Sequence, residues 1–145
     1  MYYNVVVRKP NPLKKYRTLK KACSVVGFDV ELPPRFKLKE IYVINNKVLE
    51  LRYSSVIVRK SKFDKNNISG RGISGVYPGA YPNDCNKGEF ENSEIKGIEY
   101  WNGSTKRPKE YLAIWDDNAH KYSYSVYAPK GIKLKSMSTW QKKFK

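Results

Sequence analysis

The densest group of residues able to do chemistry spans Pro82 to Gly97: Pro-Asn-Asp-Cys-Asn-Lys-Gly-Glu-Phe-Glu-Asn-Ser-Glu-Ile-Lys-Gly. Asp84 is followed ten positions later by Glu94 and then by Lys96. On a strand, Glu94 and Lys96 project to one face and Ile95 anchors the other. Two carboxylates offer the oxygen ligands that Mg²⁺ or Mn²⁺ prefers. Such an ion polarises a phosphodiester and lowers the pKa of a bound water, while an adjacent ammonium steadies the charge that develops. The trio therefore suits phosphodiester hydrolysis, with Asp84 and Glu94 as metal ligands and all three as catalytic groups. The plainer reading of the same acids is pairing with nearby lysines on a solvated edge.

The background charge sharpens the contrast. Of 145 residues, 29 are Lys or Arg and 13 are Asp or Glu, a net charge of +16. Such a field concentrates polyanions and speeds their encounter, which makes nucleic acid the first expected partner. Residues 1–62 hold 15 basic and 4 acidic side chains, yet 84–99 hold 5 acidic and 2 basic. Carboxylates repel phosphate, so an acidic island in a basic chain fits a metal-assisted site better than a plain binding surface.

The spacing of Asp84, Glu94 and Lys96 behind Pro82 resembles the PD-(D/E)xK nuclease superfamily, nearest to type II restriction endonucleases of the PvuII kind. The order downstream is similar too: Glu94 to Ile98, a basic link, the hairpin Tyr111–Trp115 to Tyr122–Tyr127, Pro129, and a basic segment with Trp140. The likeness covers residues 82–145 and departs from the pattern at Asn83, which separates Pro82 from Asp84. It implies an α+β, restriction-endonuclease-like fold: a mixed β-sheet of about five to seven strands with flanking helices. It also implies Mg²⁺-dependent cleavage of DNA, double-stranded DNA favoured, by a homodimer of restriction or homing type. A second reading stays open: a non-catalytic basic protein that binds nucleic acid, or a phage-encoded inhibitor of a nucleic-acid-processing enzyme.

The elements that must carry these residues follow from pattern. Tyr2–Arg8 reads as a strand. Asn11-Pro12 starts a predicted helix whose apolar positions Leu13, Tyr16, Leu19, Cys23 and Val26 recur at three and four, ending at Gly27. Its other face presents Lys14, Lys15, Lys20 and Lys21 as candidates for DNA-backbone contact, together with Arg71, Lys106 and Arg107. Leu38–Ile44 and Val48–Val58 are predicted strands joined at Asn45-Asn46. Residues 61–88 read as a long Gly/Pro-rich loop. It includes Gly70-Arg71-Gly72-Ile73-Ser74-Gly75, which lacks the strand and helix that a dinucleotide fingerprint requires. Glu94–Trp101, Tyr111–Trp115 and Tyr122–Tyr127 are predicted strands, with a short helix after Ser138.

The remaining expectations are simple. The length suits one domain, residues 1–145. An N-terminal strand, helix and hairpin fill 1–60, then the 61–88 loop, then a core over 82–145. No apolar run is long enough to span a membrane and no secretory leader opens the chain, so a cytoplasmic location and reduced Cys23 and Cys85 are expected. His120, the lone histidine, reads as a structural turn residue. The aromatic residues near basic ones offer stacking surfaces for single-stranded bases or cross-strand packing.

Overall fold

The computed structural model describes residues 13–63, 85–104 and 108–145. In chain order they form β1 (Leu13–Tyr16), α1 (Leu19–Val26), β2 (Glu40–Ile44), β3 (Val48–Arg52), β4 (Ile57–Lys62), β5 (Asn86–Glu91), β6 (Ile95–Gly103), β7 (Pro108–Asp117), β8 (Tyr122–Ala128) and α2 (Leu134–Lys143). These eight strands make one sheet in the order β1-β2-β3-β4-β8-β7-β6-β5, antiparallel throughout.

This corrects the expected mixed sheet of five to seven strands with flanking helices. Parallel neighbours need a crossover of a dozen or more residues, usually a helix. Here tight hairpins join β2 to β3, β3 to β4 and β7 to β8, and both helices among the described residues are short. At Asn45-Asn46 the turn takes positive φ at both residues (52° and 59°), which asparagine tolerates better than most. The Tyr53 N–H closes the next hairpin on the Val56 carbonyl (2.8 Å).

The predicted helix from Asn11-Pro12 starts late. Leu13–Tyr16 pairs with β2 instead, Leu13 opposite Ile44 and Tyr16 opposite Ile41. Thr18 then caps α1, its hydroxyl accepting from the Lys21 N–H (3.2 Å). Gly27, at φ 82°, ends the helix by donating its N–H to the Cys23 carbonyl (2.8 Å).

Residues directly opposed in an antiparallel ladder share a face. One face carries Ile41, Val43, Leu49, Leu51, Val58, Val126, Tyr124, Ala113 and Trp115, and both helices pack on it. Ala22, Cys23 and Val26 of α1 join that core, as do Met137, Trp140 and Phe144 from the C-terminal segment. Trp115 stacks on Tyr124, and Phe144 meets both rings edge-on. The other face has its own smaller apolar cluster of Tyr100, Leu112 and Ile114, with Val48, Ile98 and Tyr127 against it. On that face Glu50 is buried to 2% exposure. Its carboxylate accepts from Arg52 Nε (2.7 Å) and Arg59 Nε (2.8 Å), so two guanidinium groups offset its desolvation.

Candidate nucleic-acid interface

Asp84, Arg71, Lys106 and Arg107 lie outside the described residues. Glu94 sits in the turn before β6, where the Asn92 side-chain oxygen accepts from the Glu94 and Ile95 N–H groups (2.8 and 2.9 Å). Its carboxylate holds the ammonium of Lys145 at 2.7 Å. Ile95, the next residue, is buried on the helix-covered side. Lys96 therefore points to the other face, where it stands opposite Asp116. Glu94 and Lys96 are thus not gathered on one face: Glu94 and Ile95 line a common cavity, and Lys96 has its back to it. Among the described residues, no three His, Cys, Asp or Glu side chains group to hold a metal ion.

The four lysines assigned to one helix face also separate. Lys14 and Lys15 alternate along β1, so they face opposite ways. Lys15 bonds Glu40 at 3.1 Å, and each raises or lowers the other's pKa so as to keep both charged. The Lys14 ammonium rests 5.6 Å from the centre of the Tyr16 ring. Lys20 and Lys21 are exposed on α1.

Two of the cavities that border α2 have opposite character. The first, of about 520 Å³, is lined by Asp29, Glu31, Glu94 and Asp117, with Lys60 and Lys145 among them. Lys60 is buried, donates to the Asp29 carbonyl (2.6 Å) and lies 4.3 Å from the Tyr122 ring centre. Burial lowers its pKa, and nearby Asp117, Asp29 and Glu31 oppose the shift. Lys145 closes this side of the sheet by exchanging backbone hydrogen bonds with Glu31 in both directions (2.8 and 3.0 Å). His120 belongs to the β7–β8 turn, at φ 54°, beside Phe63.

The second is a cleft of about 560 Å³ between the 35–39 segment, the β3–β4 turn and the entry to α2. Arg35, Lys37, Lys39 and Lys133 bring four cations to it, and among the described residues no carboxylate lines it. Ser54, Ser55 and Ser136 add hydroxyl donors. The local sequence explains the arrangement. In Arg35-Phe36-Lys37-Leu38-Lys39 the three basic residues are exposed and the alternating apolar ones half-buried. Phe36 turns inward to stack on Trp140, with centroids 5.2 Å apart and planes 11° from parallel. Gly131 lets the chain turn from β8 toward α2 at φ 90°, where a Cβ would strike the Pro108 carbonyl. Lys133 caps α2 without a side-chain hydrogen bond, so the positive end of that helix also faces this region. Tyr53 completes the floor, its phenol pushed up to about 12 by burial and thus a neutral donor at working pH.

Sequence reasoning passed over this cleft. The signal was the strict alternation of cations with apolar residues after Pro33-Pro34, echoed by Lys133-Leu134-Lys135. Neither stretch shows in sequence that it meets the other.

Comparison with protein-family models, curated proteins and solved structures finds no match. No helix among the described residues is long and apolar enough to cross a membrane.

Proposed function

We propose that this chain is a nucleic-acid-binding protein that holds a phosphate backbone in the cleft of Arg35, Lys37, Lys39 and Lys133, without cutting it. The observation that supports this is the cleft's composition among the described residues: four cations, three serine hydroxyls and no acid, beside a helix N-terminus without a side-chain cap. Phosphate contacts of this kind are made by lysine, arginine and serine side chains together with helix N-termini. In a chain of net charge +16 the same field steers a polyanion to the cleft from a distance. The metal-dependent hydrolytic reading has no comparable support, because Glu94 is engaged by Lys145 and Lys96 faces away from it.

A labelled oligonucleotide titrated by fluorescence anisotropy at rising KCl tests the proposal. Binding that weakens linearly in log–log form, and that weakens further in Lys37→Ser/Lys39→Ser, is the expected result. Plasmid incubated with Mg²⁺ in parallel should stay intact. Nicking that disappears in Glu94→Ala would overturn the non-catalytic reading and restore the hydrolytic one.

A further inference from the structure

Resting on that reading, we infer that the cleft takes single-stranded nucleic acid, with Phe36 as a stacking platform for one base. Phe36 lies between Arg35 and Lys37 in sequence and lines the same cleft as their charges. One face of its ring is laid on Trp140, which is itself 1% exposed and held edge-on by Tyr53 and Phe144. The platform is therefore backed on that face by the main core. Phe36 itself is only half-buried, and among the described residues no second ring covers it. A flat aromatic surface flanked by cations is the arrangement by which proteins hold an unpaired base while gripping its backbone. A duplex hides its bases' flat faces inside the stack and offers this ring nothing. The cleft's size, about 560 Å³, is that of a small-ligand pocket and suits a nucleotide or two. Tyr53 adds a donor with no negative charge to repel phosphate.

The test compares three ligands on the whole protein: a dT12 oligonucleotide, an abasic 12-mer with the same phosphates, and a 12-base-pair duplex. At fixed salt, dT12 should bind about 5- to 150-fold more tightly than the abasic strand, the gain expected from one base on one ring. Phe36→Leu should erase that difference and leave the salt dependence unchanged, because no charge is removed. Equal binding of dT12 and the abasic strand by the wild-type protein overturns the stacking inference while the phosphate reading stands. Tighter binding of the duplex also overturns it. No binding to any of the three overturns the underlying reading as well.

Discussion

On the proposed reading, the salt dependence of binding is set by how many cations the cleft commits to phosphate. Four are available: Arg35, Lys37, Lys39 and Lys133. Each phosphate neutralised on a single strand contributes about −0.7 to the slope of log K against log salt, so four give about −2.8. Between 50 and 200 mM KCl, that slope weakens binding about 50-fold. Lys37→Ser/Lys39→Ser leaves two cations and a slope of about −1.4, so the same salt step costs only about sevenfold. Both side chains are exposed, and the substitution should leave the fold intact. Lys20→Ser/Lys21→Ser removes an equal charge from α1, outside the cleft, and is the control. Anisotropy titrations of dT12 at four or more salt concentrations give each slope directly. Equal loss of slope in both double variants would refute the reasoning, because it would show diffuse attraction by net charge rather than contacts in one place. An unchanged slope in the cleft variant would refute it as well.

Three further expectations concern the framework. Gly97→Ala places a methyl group 2.6 Å from Trp115 Cβ and against the Ile114 carbonyl. It should cost about 1–3 kcal/mol in urea unfolding, and a smaller loss would mean the β6–β7 seam is looser than described. Thr18→Ala removes the acceptor for the Lys21 N–H and should cost about 1 kcal/mol, whereas Thr18→Ser should retain most of it. Burial lowers the Lys60 pKa below its ordinary 10.5, so the unfolded chain keeps a proton that the folded chain releases in the window between the two values. The cost of this group is full below that window and gone above it. The stability of the wild type relative to Lys60→Met should therefore rise as the pH climbs toward the ordinary lysine value of 10.5, and a constant difference would mean Lys60 is not desolvated.

Local pattern exposed the elements whose chemistry is local. Asn45-Asn46 marked a hairpin because asparagine tolerates positive φ, and β7 and β8 carried enough aromatic and β-branched residues to be read as strands. β5 escaped because Asn-Lys-Gly-Glu-Phe-Glu is polar at nearly every position. Among the described strands it pairs with β6 alone, and an edge strand needs few apolar residues. The start of α1 was misplaced because Leu13 and Tyr16 are three apart, a spacing that fits a helix. In the structure both pair with β2, and Tyr16 packs against the main core, so tertiary pairing decided between two local options. The fold class went wrong for a related reason. The resemblance joined Asp84, Glu94 and Lys96 by spacing alone, and spacing does not reveal that the Glu94 side chain turns to Lys145, fifty-one residues on. The cleft required the same kind of knowledge, since Arg35 and Lys133 meet only after β8 has inserted between β4 and β7.

The placement of α2 ties the two cavities together and yields a last prediction. Its N-terminal end, with Lys133 and Ser136, borders the basic cleft; its C-terminal end, with Gln141 and the following Phe144 and Lys145, borders the acidic cavity. A helix carries a partial positive charge at its N-terminus and a negative one at its C-terminus. At the acidic end, Lys142, Lys143 and Lys145 complement that dipole. At the basic end the first turn of the helix holds no acidic residue, and among the described residues four cations line the cleft beside it. Like charges gathered at a positive pole repel, and on the proposed reading a bound anion relieves that repulsion. Removing part of it with Lys37→Ser/Lys39→Ser should raise the melting temperature of the free protein or leave it within about 2 °C. Saturating dT12, at about 100 times its Kd, should stabilise the wild type by about 2.7 kcal/mol, which for a chain of this length is about 5–11 °C. At the same oligonucleotide concentration the double variant should gain less. Scanning calorimetry with and without oligonucleotide measures both. A free double variant that melts well below the wild type would show that these cations support the fold itself, and the electrostatic argument for the cleft would fail.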